Sequence, residues 1–421
     1  MTGTLHVRLF DRHVGEVGIA GETRSPEDWH FRYAPDYVDA VRPLALSVSL
    51  PLRTVPFTGA VVRNWFGNLL PEGAVREAIA ARLRIPVRDD FDLLAGIGGE
   101  CAGAVSIVPP ESPETKPEPA TDIETLLAAC GDMAGEGTWA LLGTPRRLSL
   151  AGAQDKIAVV RNVNGHLRLP AFGEMTTHIL KPESQRLPGL RDLEALGLAL
   201  ARAIGLHAVS ATLVEVAGRK ALLIERYDRH IADGNPMRLH QEDFCQALGY
   251  PSELKYEAGG GPSLRQCAEM VRRQLRLGPV AVRAFLDWVA FNAVIGNADA
   301  HAKNLALLCD HGGQRRLAPF YDLVPTIAIP EQLVDRQPAL RIGAAARIDR
   351  ITVDDWRGFA RETGYAPGFV LKRVAAIAEA VAARIDDVAQ ALVKQGADRE
   401  RIARAVEVVR VNAERVRRES A

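Results

Sequence analysis

The sequence predicts an α+β fold in which a small N-terminal α+β domain precedes a strand-rich lobe and then a mostly helical C-terminal lobe. Five prolines fall within residues 109–119, and such a segment cannot form a regular element, so it indicates a surface linker. Short strand-like segments dominate up to residue 240, whereas apolar residues at helical spacing dominate after it. We therefore predict a domain at 1–108, a linker at 109–121, and lobes at 122–240 and 241–421.

The composition is that of an ordinary folded protein, with 47% apolar and 25% charged residues among 421. Basic and acidic residues both number 52, so the basic excess expected of a protein that binds DNA directly is absent. Five cysteines without CxxC spacing fit a reducing compartment, and no apolar run is long enough to cross a membrane. We predict a cytoplasmic protein that does not contact a membrane.

In the N-terminal domain, alternating apolar residues predict strands at residues 5–10, 14–18 and 46–50. Apolar residues at mixed three- and four-residue spacing predict helical pieces between residues 64 and 84.

After the linker, strand patterns at 156–161, 167–169 and 177–181 precede a helix at 190–204 that Gly205 ends. A hairpin at 212–225 follows, and most of the remaining chain is helical. This order is the layout of a protein-kinase-like, two-lobed catalytic domain.

The segment 295–306 carries the strongest chemical signal. Asp299 and Asn304 stand five apart, as do the catalytic aspartate and the metal-binding asparagine of a kinase catalytic loop. An apolar helix leads into the loop and an apolar strand leaves it. Phosphoryl transfer needs a carboxylate near the acceptor hydroxyl and oxygen ligands for Mg²⁺, so we predict these two roles.

A second carboxylate, Asp322, follows eighteen residues after Asn304, where a kinase places its other metal-binding aspartate. The alternative is a capping or turn aspartate. Lys181 ends a predicted strand, as a phosphate-contacting lysine would, and Glu194 in the next helix could pair with it. The small residues of segment 149–156 could approach phosphates closely, whereas glycine-rich 96–103 is better explained as a turn.

In combination these segments resemble the HipA family of bacterial serine/threonine kinase toxins over nearly the whole chain. The segments that carry the resemblance are Ser-x-Ala-Gly-Ala-Gln-x-Lys (149–156), His-Ile-Leu-Lys-Pro (178–182), Glu-Arg-Tyr-Asp-Arg (225–229), His-Gln-Glu-Asp-Phe (240–244), Lys-Tyr-Glu (255–257) with Gly-Gly-Pro (260–262), Gly-Asn-x-Asp-x-His-x-Lys-Asn (296–304) and Tyr-Asp-Leu (321–323), with Ser-Leu-Pro-Leu (49–52) and Asn-Leu-Leu-Pro-Glu-Gly (68–73) in the N-terminal domain.

The resemblance implies that Asp299 is the catalytic aspartate, that Asn304 and Asp322 hold Mg²⁺, and that Ser149 is a self-phosphorylated serine that silences the enzyme. It also implies a set of ATP-binding residues: Ala151, Gly152, Ala153, Gln154, Asp155, Lys156, Lys181, Glu225, Arg226, Tyr227, His301 and Tyr321. Of these, the resemblance implies that Glu225, Arg226 and Tyr227 line the adenine pocket and that His301 and Tyr321 complete the nucleotide site. The implied partners are a DNA-binding antitoxin of the HipB type, through which alone DNA is contacted, and a protein substrate such as an aminoacyl-tRNA synthetase.

Two other functions remain open at this point. A small-molecule phosphotransferase is compatible with the loop Asp299-x-His301-x-x-Asn304. A catalytically idle corepressor subunit is the alternative from another class, and the presence of Asp299, Asn304, Asp322 and Lys181 argues against it.

Overall fold

The computed structural model describes residues 3–21, 24–110, 120–129, 137–144, 147–171, 173–232, 235–274 and 278–420. Most of the proline-rich segment, and Cys130, lie outside these ranges, so the linker and the domain boundaries remain predictions. Each described helix is either too short or too polar to span a bilayer.

The N-terminal part forms an antiparallel five-stranded sheet with strand order β4-β3-β2-β1-β5. Its strands are β1 (Gly3–Leu9), β2 (Arg12–Ile19), β3 (Trp29–Tyr33), β4 (Phe57–Thr58) and β5 (Val105–Val108). Its helices are α1 (Pro35–Val38), α2 (Ala60–Gly67), α3 (Gly73–Leu83) and α4 (Asp90–Ile97). Large aromatic side chains fill the core between sheet and helices: Trp29, Phe31, Trp65 and Phe66. We call residues 3–108 the N-terminal unit.

The prediction of a strand at residues 46–50 is wrong, because the structure has no strand there. This segment pairs with no strand because other partners take its polar groups: the Tyr33 hydroxyl accepts from Leu46 N at 2.7 Å, and His240 Nε2 donates to Leu46 O at 2.8 Å. The Glu242 carboxylate accepts from Ser47 Oγ at 2.5 Å and from Val48 N at 3.0 Å. The segment therefore docks the N-terminal unit onto the rest of the chain.

The next part is a second antiparallel sheet with order β10-β11-β9-β7-β8-β6. Its strands are β6 (Thr121–Asp122), β7 (Ile157–Arg161), β8 (Leu167–Leu169), β9 (His178–Pro182), β10 (Ala211–Val216) and β11 (Arg219–Glu225). Its helices are α5 (Ile123–Ala129), α6 (Thr138–Gly143) and α7 (Leu190–Ala203). Helix α7 and the hairpin β10–β11 agree with the predicted elements, and α7 is buried along most of its length.

The C-terminal part is mostly helical, as predicted. Two small sheets precede and interrupt it: β12 (Arg229–Ala232) with β13 (Asn235–Arg238), and β14 (His240–Asp243) with β15 (Ala306–Cys309) and β16 (Arg315–Leu317). The helices are α8 (Phe244–Leu248), α9 (Leu264–Gln274), α10 (Pro279–Ile295), α11 (Val353–Thr363), α12 (Pro367–Lys394) and α13 (Arg399–Arg418).

Helix α10 lies at the centre of the C-terminal part and positions the loop that follows it. From Phe285 to Ile295 it is buried on all faces, which is typical of a helix surrounded by others, and it contacts α9, α12 and α13. The last carbonyls of a helix lack partners within the helix. Asn412 Nδ2 of α13 donates to two of these, Ala293 O and Val294 O, both at 2.9 Å. The end of α10 is thus fixed where the predicted catalytic loop begins.

Candidate active site

The loop after α10 folds around the backbone of Asp299. Gly296 ends the helix with a φ of +70°, a conformation that glycine adopts without strain. Asp299 N donates to Asn297 Oδ1 at 3.1 Å, and Asp299 O accepts from Asn304 Nδ2 at 3.1 Å and from His301 N at 2.9 Å. The loop therefore brings together the two residues that the sequence places five apart, with Asp299 exposed and Asn304 buried.

Lys181, Glu194 and Asp322 form an ion cluster in which Lys181 and Glu194 are buried and Asp322 is partly exposed. Lys181 Nζ lies 2.7 Å from Glu194 Oε1 and 2.8 Å from Asp322 Oδ1. Burial opposes charge here, but Asp322 and Glu194 outweigh it and raise the pKa of Lys181 above its usual value. Although burial disfavours its charged form too, the ammoniums of Lys181 and Lys156 hold the pKa of Asp322 well below its usual range. Both Lys181 and Asp322 are charged at neutral pH.

Close packing of α7 against the Tyr-Asp-Leu segment fixes Asp322. A Cβ atom on Gly197 would lie 1.8 Å from Leu323 O, so only glycine permits this approach of α7. Asp322 itself has a φ of +57°, which is uncommon for a residue other than glycine and costs backbone energy. One turn separates Gly197 from Glu194, and the same face of α7 therefore holds both Lys181 and the backbone beside Asp322.

The segment predicted as a phosphate loop surrounds the ammonium of Lys156. Gly152 has a φ of +109°, and a Cβ atom there would lie 2.7 Å from Lys156 Nζ. Lys156 Nζ donates to Ala151 O at 2.5 Å. Burial, together with the nearby Lys181 ammonium, lowers the pKa of Lys156 to about 8. Of the other residues predicted here, Ala153 is exposed and Gln154 half-buried, and both remain predicted ATP contacts.

Asp155 has a structural partner in this segment. Its carboxylate accepts from Trp139 N at 3.0 Å and from Ala140 N at 2.9 Å, at the start of α6. A carboxylate at a helix N-terminus satisfies backbone donors that have no partner in the helix. The structure therefore places the Asp155 side chain on α6, which anchors the end of the loop.

The N-terminal unit contacts the same loop from the other side. Ser149 is fully buried, and its Oγ donates to Leu69 O at 2.7 Å. Pro71 forms a parallel bridge with Gly152, and Glu72 N donates to Gly152 O at 3.0 Å. Segment 69–72 thus forms part of the wall behind the predicted phosphate loop.

The residues predicted to line an adenine pocket divide into two groups. Tyr227 stacks on Tyr321 with ring centroids 5.5 Å apart, its hydroxyl contacts Gln241, and the Tyr321 hydroxyl donates to Lys303 O at 2.6 Å. These two rings lie beside the predicted catalytic loop. Glu225 is exposed at the end of β11.

Arg226 points away from that group into a buried network. Its guanidinium pairs with Asp228 at 2.7 Å and with Glu100 of the N-terminal unit at 3.2 Å, and it donates to Thr176 Oγ1 at 2.8 Å. Arg229 pairs with the same two carboxylates. The structure does not bring the Arg226 side chain to the ion cluster, although its backbone follows β11 directly.

His301 is a buried, neutral residue of the loop. Burial lowers the pKa of His301 to about 3, and its Nδ1 atom has no hydrogen-bond partner among the described residues. Its ring packs edge-on against Tyr256, with centroids 5.4 Å apart.

Several residues near the site carry no predicted role. Lys303 Nζ contacts Asn68 Oδ1 at 2.5 Å and Asp243 Oδ2 at 3.0 Å, and Tyr256 donates to Asp299. Glu72 pairs with Lys255. All of them belong to segments that we quote for the family resemblance, 68–73, 240–244, 255–257 and 296–304. The family resemblance could therefore have indicated that these residues lie near the site, but it could not have indicated which residues they contact.

The residues present fit magnesium and a nucleoside triphosphate. Mg²⁺ prefers oxygen ligands, and the Asp322 carboxylate and the Asn304 amide oxygen would supply them. The Asn304 amide nitrogen donates to Asp299 O, which leaves the amide oxygen available. Lys156 and Lys181 offer two ammoniums for phosphate oxygens. Glu194 Oε2 is a further buried polar atom without a hydrogen-bond partner in the described residues.

Comparisons with known proteins show which family this chain resembles. Family models match in two parts, the HipA N-terminal domain at residues 5–108 and the HipA-like C-terminal domain at residues 148–395. The Y4mE protein of Sinorhizobium fredii, provisionally named as a kinase, is 39% identical over 396 residues, which cover 90% of this chain and 88% of that one.

The serine/threonine-protein kinase toxin HipA of Shewanella oneidensis is 31% identical over 344 residues, covering 77% of this chain and 75% of its own. One chain in a solved structure of the Shewanella oneidensis HipA, HipB and operator DNA complex is similar over 98% of this chain and 97% of its own length, with a TM-score of 0.82 and 25% identity. The predicted fold class is confirmed.

Proposed function

This chain belongs to the HipA family, and we propose that it is an ATP- and Mg²⁺-dependent serine/threonine-protein kinase that acts as the toxin of a toxin-antitoxin module. The observation that carries the proposal is the Lys181–Glu194–Asp322 cluster beside a loop that exposes Asp299 and buries Asn304. A charged lysine, paired with a helix glutamate and a metal-binding aspartate, is the arrangement that protein kinases need for transfer.

In the proposed reaction each residue has a distinct task. Asp299 accepts the hydrogen bond of the seryl or threonyl hydroxyl and orients it toward the γ-phosphate. Lys181 and Lys156 contact phosphate oxygens, and Tyr227 and Tyr321 stack beside the nucleotide base. Asn304 and Asp322 hold Mg²⁺, which when bound neutralises the charge of the phosphates.

We also propose the partners that the relatives suggest. A DNA-binding antitoxin of the HipB type holds this kinase in check, so that the chain meets operator DNA only through that protein. The substrate is a cytosolic protein, for which an aminoacyl-tRNA synthetase is a candidate, and its phosphorylation inhibits growth. The equal numbers of acidic and basic residues agree with indirect DNA contact.

The decisive experiment incubates the purified chain with labelled ATP and a cytosolic extract, with and without Mg²⁺. We expect labelled protein bands that contain phosphoserine or phosphothreonine, that require Mg²⁺, and that disappear with Asp299→Ala. Removal of such a carboxylate typically costs about 10²–10⁴-fold in rate. Label found in small molecules rather than in protein would identify a small-molecule phosphotransferase instead, and no transfer at all would refute kinase activity.

A further inference from the structure

The Asp299 carboxylate has a partner that the predicted chemistry does not require. Tyr256 donates its phenolic hydrogen to Asp299 Oδ1 at 2.9 Å, while its ring packs edge-on against His301. The phenol thus holds one of the two carboxylate oxygens. A hydrogen bond to an ionised acceptor is stronger than one between neutral groups, so this contact can fix the orientation of the carboxylate.

The segment that carries Tyr256 is fixed on both sides. Gly261 N donates to Tyr256 O at 3.0 Å, and a Cβ atom on Gly261 would lie 2.2 Å from Leu254 O, so the turn requires glycine. Glu257 N donates to Ala339 O at 2.9 Å, and the Glu257 carboxylate accepts from Arg341 N at 2.7 Å. Tyr256 therefore belongs to an anchored turn rather than to a freely moving loop.

The N-terminal unit reaches this turn through an ion pair. Lys255 Nζ lies 2.7 Å from Glu72 Oε2, and both side chains are mostly buried. Lys303 of the catalytic loop lies 3.7 Å from Glu72 Oε1. A largely buried pair is screened little by solvent and tolerates the loss of one member poorly. Glu72 thus connects the turn at 255–257 with the catalytic loop.

We propose that Tyr256 is a positioning residue, whose phenol fixes Asp299 Oδ1 so that Oδ2 meets the acceptor hydroxyl, and that the Glu72–Lys255 pair holds Tyr256 in place. This role rests on the proposed kinase function and adds to it a residue of the turn and one of the N-terminal unit. Asp299 is an exposed residue, as a group that meets a protein substrate must be. Without the phenol the carboxylate samples orientations that miss the acceptor, which lowers the rate of transfer and leaves ATP binding unaffected.

The first test compares the full chain with Tyr256→Phe, using labelled ATP and a degenerate library of serine- and threonine-containing peptides. We expect kcat to fall about tenfold, the value of one hydrogen bond to a charged group, with the KM for ATP within twofold of wild type. Tyr250→Phe is the matched control, because the Tyr250 hydroxyl accepts a hydrogen bond from Gln266 outside the site. It should keep wild-type kinetics.

The second test adds Glu72→Gln and the double variant. Glu72→Gln removes the charge that holds Lys255, so we expect a smaller fall in kcat, about threefold, and a Tyr256→Phe effect that shrinks in this background because the two residues act as a unit. If Tyr256→Phe fails to fold, the kcat of Glu72→Gln tests the proposal: a fall of about threefold supports the positioning role, and an unchanged kcat overturns it.

The outcomes separate the two claims. An active wild type with unchanged kcat in Tyr256→Phe overturns the positioning role and leaves the kinase function standing. A raised kcat overturns it too, because the phenol would then obstruct the acceptor. An inactive wild type overturns the proposed function and the positioning role together.

Discussion

Lys181 and Asp322 form an ion pair at 2.8 Å although 141 positions separate them in the chain. The pair joins β9 to the segment beyond the catalytic loop, and Glu194 of α7 completes it on the other side of the ammonium. Each partner accounts for the shifted pKa of the other, and the proposed binding of a magnesium nucleotide requires both to stay charged.

Gly197→Ala should disable this cluster without touching a charged group. The added Cβ atom would lie 1.8 Å from Leu323 O, so α7 or the Tyr-Asp-Leu segment must move. Overpacking of this kind costs about 1–3 kcal/mol, and Asp322 moves with the backbone. We expect a lower unfolding temperature and a weaker Mg²⁺-dependent ATP titration. Gly368→Ala in α12 is the control, since nothing lies within 4 Å of its added Cβ, and an equal effect there would contradict the prediction.

ATP affinity should depend on pH through Lys156. Its pKa of about 8 lies below its value in the unfolded chain, so the ammonium loses its proton as pH rises through 8. Phosphate oxygens favour the charged form, hence ATP binding should take up a proton and weaken above pH 8. Calorimetric titrations at pH 7 and pH 9, in buffers of different ionisation enthalpy, measure both effects. Lys156→Arg stays charged and should abolish the dependence; if the dependence survives, another group causes it.

Self-phosphorylation of Ser149 should require release from the N-terminal unit. Its Oγ is fully buried and donates to Leu69 O, so a phosphate of about −1.5 to −2 charges cannot be accommodated there. We expect phosphoserine at 149 in wild type incubated with ATP but not in Asp299→Ala, and a loss of ATP affinity after modification. Mass spectrometry and ATP titration measure these. Phosphorylated Ser149 with normal ATP affinity would refute the switch.

Arg226→Ala should destabilise the protein by about 3–5 kcal/mol, because it leaves Glu100 and Asp228 buried with less positive charge. Thermal or denaturant unfolding measures the loss, and Arg161→Ala at an exposed site is the control. We expect the folded fraction to bind ATP within a few-fold of wild type. Strong loss of ATP affinity without loss of stability would instead support the adenine contact that the family resemblance implies.

Acid should loosen the contact between the N-terminal unit and β14 through His240. Burial lowers the pKa of His240 to about 4 from its usual value of about 6.5, and its Nε2 donates to Leu46 O. Between these values the unfolded chain binds the proton and the folded one does not, so stability falls as pH drops through this window, by about 2 kcal/mol at pH 5. His240→Gln should lessen this dependence in unfolding measured from pH 7 to 5. The exposed His166→Gln should not, and a matching change there would contradict the assignment.

The sequence was sufficient where local pattern and chemistry coincide. The apolar run of α10 and the spacing of Asp299 and Asn304 predicted a helix followed by a loop, and the structure has both. The prediction from sequence failed where side chains, rather than a neighbouring strand, bond the backbone. Residues 46–50 alternate like a strand, but Tyr33, His240 and Glu242 form hydrogen bonds with their polar groups.

Contacts between segments that are distant in the sequence could not be predicted either. Neither propensity nor spacing indicates that Arg226 turns toward Glu100, or that Asp155 accepts hydrogen bonds at the start of α6. Such contacts depend on how the N-terminal unit and α6 pack against the second sheet, which only the folded chain determines.

Pro71 forms a bridge with Gly152, and Glu72 N donates to Gly152 O, so the N-terminal unit directly contacts the predicted phosphate loop. Coupling between two binding events is reciprocal. If nucleotide binding changes the conformation of this loop, it therefore changes the free energy with which segment 69–72 docks on the loop, and docking changes nucleotide affinity by the same amount. If the proposed nucleotide binds here, a protein that binds the N-terminal unit would therefore have a different affinity for the loaded and the empty chain, and would change nucleotide affinity by the same factor without contacting the nucleotide.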